Sequence, residues 1–390
     1  MNINCYGYVY DFIGNRLFSA LNSATNVYAA NSLNQYTAVT GGLAAAPTYD
    51  SDGNTTWDGR FSHSWDSGNR LLKSIPGGTV TNGSVMVENV YDYRSRRIRK
   101  TVRQLTGRGA GYPMDPSQAG TWALVEARAF VYDGWNLIRE TVSDTNGVTG
   151  VTEYFWGPDL SGTLQGAGGV GGLLAVSMNG SFYFPCYDNN GNVTDYAGSD
   201  GTVVAHREYD PFGNTTAATG PLVHGLHFWF STKYLDEETG LYYYGYRYYS
   251  PELMRWISRD PIGDKGGENI YLFVKNSPLS LWDYLGLAYG AHLTKEETGH
   301  LACAINKWLA GARLFNAAML SGDNDRSLTL KFLKHYMSKT ETPITVSYEL
   351  LKNDSGIITA DNKASRFFSE TPLGDVTYVV GTSGDLGTSI

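Results

Sequence analysis

"YDNNGNVTDYAGSDGTVVAHREYDPFGN", residues 187–214, holds two copies of one short pattern, Tyr-Asp-x-x-Gly-Asn, set 22 residues apart. The pattern returns as "YDFIGN" from Tyr10 and "YDSDGN" from Tyr49. Weaker forms are "WDSGN" from Trp65, "YDYRSRR" from Tyr91 and "YDGWNL" from Tyr132. Between copies, apolar and polar residues often alternate, as in "NRLLKSI" (69–75), "TWALVEARAFVYD" (121–133) and "VVAHREYD" (203–210). Alternation of period two is a strand signal. Within each unit the aromatic is expected as the last inward side chain of a strand. The Asp accepts backbone N–H bonds and opens the turn, the Gly supplies positive φ, and the Asn tolerates a left-handed backbone or caps the loop. Such a hairpin cannot bury its own face, so the units are expected to stack into one continuous sheet. The expected fold class is mainly β: a hairpin array followed by a small α+β C-terminal domain.

The composition agrees with an array. The chain has 390 residues, enough for a large core and more than one domain. It carries 46 Gly and 28 Tyr with few charges, which favours strands and turns over helices. A formal charge of -8 gives no general basic face for nucleic acid. No apolar run reaches the roughly 18 residues that a spanning helix needs. The first residues, "MNINCYGYVYDFIGNRL", lack a basic n-region and an apolar h-region, so no Sec signal is expected. Cys5, Cys186 and Cys303 are odd in number and far apart, which argues against a disulfide framework or a Cys zinc site. Each is expected to be a buried apolar residue.

The composition shifts near residue 288. The first 287 residues hold 24 of the 28 Tyr, 8 of the 9 Trp and 37 of the 46 Gly. Beyond them, "LTKEETGHLACAINKWLAGARLF" (293–315) and "SLTLKFLKHYMS" (327–338) read as helices, and "TPITVSYELL" (342–351) and "DVTYVVGTSG" (375–384) as strands. His292, Glu296 and His300 would share a helix face suited to a metal. However, Thr294 and Glu297 form a capping box that starts the helix after His292, so no metal site is expected. His335 follows Lys331 and Lys334 late in a helix, where a cation suits the dipole. Residues 288–390 carry 10 Lys+Arg against 11 Asp+Glu, with no basic cluster and no phosphate-type Gly loop. "GTSGDLG" (381–387) reads as a turn. No cofactor is implied, and the chemistry of this segment is not assigned.

Two stretches before residue 288 could do chemistry or binding. "YYYGYRYYS" (242–250) offers Tyr rings on which sugars could stack. Strand alternation would turn about half of those rings inward, so most are expected to be structural, and the exposed ones are candidate carbohydrate contacts. "RWISRDPIGDKGGENIYLFVKNSPLSLWDYLGL" (255–287) brings Arg259, Asp260 and Asp283 to the boundary. Two carboxylates that share a proton can act as acid and base on one peptide bond, with burial raising one pKa and an Arg lowering the other. The same residues also read as turn caps and an ion-pair partner at a structural seam.

These motifs resemble the YD repeats of the Rhs family and of the related Tc-toxin C subunits and teneurins, over roughly residues 1–287. "YLDEETGLYYYGYRYYSPELMRWISRDPIG" from Tyr234, followed by "NIYLFVKNSPLSLWDYLGL", is similar to the Rhs repeat-associated core. The resemblance implies YD repeats over 1–225, the associated core over 226–287, and a variable effector domain over 288–390. It implies a β-sheet wound into a shell, here a partial one because family shells are usually much longer. It further implies aspartyl-type self-cleavage after Leu of a Pro-x-x-x-x-Asp-Pro-x-Gly-Leu motif. The matching residues are Pro278, Asp283, Gly286 and Leu287, with Arg259 and Asp260 as the Arg-Asp pair and Leu287–Ala288 as the scissile bond. Tyr284 stands where that motif has proline. The implied role is the C-terminal part of a polymorphic toxin, secreted, delivered from a bacterial cell or held at its surface. The implied partners are an immunity protein for residues 288–390 and a secretion system or an upstream shell. The alternative is a non-enzymatic surface scaffold that binds carbohydrate and is not cut.

Overall fold

The computed structural model describes residues 4–291 apart from 79 and 110–118. The described residues belong to one compact unit, Met1–His292. A four-stranded antiparallel meander opens it: β1 (Tyr6–Tyr10), β2 (Arg16–Leu21), β3 (Ala24–Ala30) and β4 (Tyr36–Gly41). A fourteen-stranded sheet comes next, running in strict sequence order from β5 (Thr48–Tyr49) to β18 (Thr215–Thr219). The expectation of a mainly β hairpin array is met.

The repeat chemistry explains the order. In the turn after Tyr187, Asp188 Oδ1 accepts the N–H groups of Asn190 (2.8 Å) and Asn192 (3.0 Å). Its Oδ2 accepts Asn192 Nδ2 at 2.7 Å, and Gly191 takes φ +72. Asp11, Asp50 and Asp210 repeat this arrangement with Asn15, Asn54 and Asn214. One carboxylate thus satisfies the donors of a tight turn that no strand partner can reach.

The aromatic of each unit does more than fill space. Trp65, Tyr91, Tyr132, Trp156, Tyr187 and Tyr209 each stand at the end of a strand. Each donates from its ring N–H or hydroxyl to a carbonyl at the start of the preceding strand. The acceptors, in the same order, are Thr55, Leu71, Arg97, Leu137, Leu173 and Val193, at 2.5–2.9 Å. Where the aromatic's strand pairs with the next strand, the register shifts at the aromatic, for example between Ser64 and Trp65 and between Glu208 and Tyr209. A bulge re-aims the side chain inward.

The inner face of the array is covered by residues 220–287. Its short strands are β19 (Tyr234–Asp236), β20 (Leu241–Tyr243), β21 (Tyr248–Ser250) and β22 (Arg255–Trp256). Trp229, Tyr242, Tyr249, Trp256 and Phe273 form one buried cluster with Leu137, Val176, Val193 and Tyr196 of the array. Residues 1–225 and 226–287 therefore share a core. Buried charges cross the same boundary: Asp236 pairs with Arg97 (2.6 Å) and Lys100 (3.1 Å), and Tyr234 donates to Glu140 at 3.0 Å. Removing one partner of such a pair strands the other in the core.

Two expectations are corrected. Cys5 and Cys186 are exposed rather than buried; Cys186 lies on the outward face of a strand (Ser181–Tyr187) whose burial alternates. Cys303 lies outside the described residues. In the run 242–250, five of six Tyr rings are buried, not half of them. The segment is covered on both faces, so alternation no longer separates inside from outside. Tyr246, the sixth, is half-buried and packs on Trp135 with ring centroids 4.6 Å apart.

Candidate functional site

The segment after the core strands ends in a hairpin, β23 (Leu281–Tyr284) and β24 (Ala288–Ala291), joined by the turn Leu285–Gly286–Leu287. Tyr284 faces Ala288 in the register, so the Leu287–Ala288 bond links the turn to the returning strand. Gly286 takes φ +77, where an added Cβ would meet the Arg247 backbone N at 3.2 Å. Leu285 also takes a left-handed backbone, at φ 57. A non-Gly residue there carries strain and persists only when its surroundings fix it. Leu285 is buried, and its carbonyl accepts the Tyr246 N–H at 3.0 Å.

Asp283 is buried under this turn. Its Oδ1 accepts the N–H groups of Gly286 (2.5 Å) and Leu287 (3.1 Å). The Leu287 N–H is shared with the Tyr284 carbonyl at 3.0 Å. Tyr284 in place of proline therefore leaves Asp283 fixed by its own hydrogen bonds. Pro278 is buried at the hairpin's entry, where its carbonyl accepts Asn190 Nδ2 at 2.5 Å.

Asp260 approaches from the other side. Its Oδ1 accepts the Ile262 N–H at 3.0 Å, and its Oδ2 pairs with Arg247 Nη2 at 2.8 Å. The same Nη2 lies 3.9 Å from Asp283 Oδ2. Arg247 is thus the cation between the carboxylates. It also donates to the carbonyls of Gly286 and Ile270, and its guanidinium lies 4.2 Å over the Trp256 ring. Arg259, the Arg expected at the pair, is exposed, with its stem against Gly53 in the second repeat turn. Among the described residues it makes no ion pair with either carboxylate. Arg259 and Asp260 leave the chain in different directions, so adjacency in sequence does not become contact.

The electrostatics arise from burial. The Asp283 carboxyl is pushed up to about 6, first by burial, against the pull of Arg247, the Gly286 N–H and Lys233; Asp260 adds to the rise. Asp260 is also raised, again by burial, with Arg247 opposing. Beneath the turn, Lys233 donates to the Gly168 carbonyl at 2.5 Å and is pushed down to about 8 by burial, against Asp283 and Asp159. Arg247, Asp260, Gly266, Asp283 and Leu287 line a cleft of about 360 Å³. A paired base and acid beside one peptide bond, reachable through a cleft, can hydrolyse that bond.

Sequence reading missed Arg247 and Lys233. Arg247 had a signal: a single cation inside a run of buried Tyr requires a counter-charge. Lys233 had none. His292, Glu296, His300 and His335 lie outside the described residues.

A repeat-built antiparallel sheet closed over a Tyr-rich core segment defines a YD-repeat architecture. Residues 168–277 match the family model of the teneurin YD-shell. The chain belongs to the Rhs/YD-repeat family. It is similar to the tRNA3(Ser)-specific nuclease WapA of Bacillus spizizenii, at 31% identity over 281 residues, 70% of this chain and 10% of that protein. Toxin subunit YenC2 of Yersinia entomophaga is 44% identical over 92 residues, 23% of this chain and 9% of that subunit. Toxin protein Tse5 of Pseudomonas aeruginosa is 50% identical over 58 residues, 15% of this chain and 4% of that toxin. The chain spans about a tenth of the length of the curated relatives it matches over most of its length. A solved structure of TcdB2-TccC3 without its hypervariable C-terminal region covers 73% of this chain and 17% of that one, at 18% identity and a TM-score of 0.44. Among the described residues no helix is long and apolar enough to cross a membrane.

Proposed function

We propose that this chain is the C-terminal part of an Rhs-type toxin and that it cuts itself between Leu287 and Ala288, freeing residues 288–390 as the effector. The observation that carries the reading is the position of Asp260 and Asp283. Two buried carboxylates are bridged by Arg247 beside the Leu287 turn, in a cleft that admits water. In this reading Asp260, paired through Oδ2 with Arg247, takes a proton from water in its ionised form. The water oxygen bonds to the Leu287 carbonyl carbon. Asp283, whose raised pKa keeps it protonated below about pH 6, gives its proton to the Ala288 nitrogen as the C–N bond breaks. The products are a Leu287 carboxyl and an Ala288 amine, and the proton held by Asp260 returns to solvent. Arg247 takes the role that the sequence assigns to Arg259.

The wider role draws on the toxin relatives. Residues 288–390 would act in a target cell after delivery from a bacterium, with an immunity protein protecting the producer and a secretion system or an upstream shell as partner. The target is left open. The alternative of an uncut carbohydrate-binding scaffold drew on exposed rings in 242–250, and five of those six are buried. The test is to refold the purified chain and follow it by gel and intact mass. The expected result is two fragments with a new C-terminus at Leu287, and one 18O atom in that carboxyl when refolding is done in labelled water. A chain that stays whole would sink the proposal.

A further inference from the structure

The loop that covers Asp260 contains three glycines, Gly263, Gly266 and Gly267. Gly263 (φ +65) and Gly267 (φ +132) have open space where a Cβ would stand, so conformation accounts for them. Gly266 is the reverse. Its φ lies outside the left-handed region, so any residue could adopt its backbone. Yet an added Cβ would lie 2.5 Å from Asp260 Oδ2 and 3.4 Å from the Leu287 carbonyl oxygen. The position is glycine for space, and that space borders both the proposed base and the bond it would cut. Asp260 cannot swing aside without losing Arg247 at 2.8 Å and the Ile262 N–H at 3.0 Å. The space also opens on the cleft that Gly266 lines with Arg247, Asp283 and Leu287.

We infer that Gly266 is a positioning residue for self-cleavage, one that acts by lacking a side chain. It keeps open the water-sized volume between the Asp260 carboxylate and the Leu287 carbonyl from which the attacking water approaches. A methyl group has about the size of a water molecule. At 266 it would occupy the nucleophile's place with a group that cannot react, and it would strip solvent from Asp260. The inference rests on the reading of Asp260 and Asp283 as the cutting pair.

The experiment compares full-length wild type, Gly266→Ala, Gly266→Val, Lys265→Ala and Asp283→Asn. Each is refolded from denaturant and sampled by gel over time between pH 4 and 8, with near-UV circular dichroism as the measure of fold. Wild type and Lys265→Ala are expected to cut at the same rate and Asp283→Asn not at all. Gly266→Ala should keep the native near-UV signal, cut at least about 100-fold more slowly, and show its residual activity displaced to higher pH, because a desolvated Asp260 ionises later. Gly266→Val should be slower still. Wild-type speed in Gly266→Ala, with Asp283→Asn inert, overturns the role of Gly266 and leaves the aspartate reading standing. Loss of the native signal in Gly266→Ala also overturns it, because the glycine would then serve the fold. An intact wild type overturns both.

Discussion

Asp92 and Asp283 perform the same local task and end with opposite electrostatics. Asp92 closes a repeat turn: its Oδ1 accepts the N–H groups of Arg94 (2.8 Å) and Arg96 (2.9 Å), and Arg96 pairs with its Oδ2. Asp283 closes the final turn with two N–H bonds of the same kind. At the Asp92 carboxyl burial is the largest single influence, but the N–H groups of Arg96 and Arg94 and the Arg96 guanidinium together outweigh it, and the pKa is lowered. The Asp283 carboxyl is buried, and burial outweighs Arg247, Lys233 and its N–H donors, so its pKa rises. A turn cap becomes a candidate acid when the same hydrogen bonds are carried into the core.

The largest effect should come from the carboxylates themselves. Asp283→Asn or Asp260→Asn is expected to slow self-cleavage by at least about 1,000-fold, whereas Asp92→Asn should cut at the wild-type rate on the same gel. Equal loss in all three would erase the distinction between the two turns. Next comes the bridging cation. Arg247→Ala leaves two buried carboxylates without their counter-charge, and urea denaturation should record a loss of about 3–5 kcal/mol along with the loss of cutting. Arg259→Ala should stay within about 0.5 kcal/mol of wild type and cut normally. The opposite ranking would return the role to Arg259.

The pH dependence of stability sharpens the comparison further. The folded-state pKa of Asp283 is raised to about 6 from 3.8, so between those values the native state holds a proton that the unfolded chain has lost. Its contribution is favourable at low pH and fades as pH rises through that window. Asp66 and Asp92 have lowered pKa values, so their contribution is present above the unfolded carboxylate range and is lost as pH falls through the folded value. In uncut chains, Asp283→Asn should therefore gain about 2–3 kcal/mol on an Asp260→Asn reference between pH 4 and 7. An Asp92→Asn change in that reference should instead cost stability near neutral pH, and the cost should shrink as pH falls through the carboxylate range. The smallest effect is Tyr132→Phe, which removes a 2.9 Å bond to the Arg97 carbonyl: about 1 kcal/mol in stability, with cutting unchanged.

The array was legible because its information is local. Tyr, Asp, Gly and Asn each do one job within six residues, and the strands between them alternate. The site was only half legible, because its information is not local. Asp260 and Asp283 could be named from their motifs, but the residue that joins them, Arg247, lies in the turn between β20 and β21 and reaches them through the core. Arg259 is adjacent in sequence and points elsewhere. The buried tyrosines of 242–250 defeated alternation for a related reason: a segment covered on both sides has no exposed face to mark.

The six aromatic hydrogen bonds of the array share a direction: every donor reaches back to a residue earlier in the chain. A ribosome delivers the chain in that same order. Each new repeat meets an acceptor that has already been made, so the array can be zipped from its first unit during synthesis without waiting for later repeats. The core segment comes next and the hairpin holding Asp283 after it, so Asp260, Asp283 and Arg247 can meet only once the described array before them has been made.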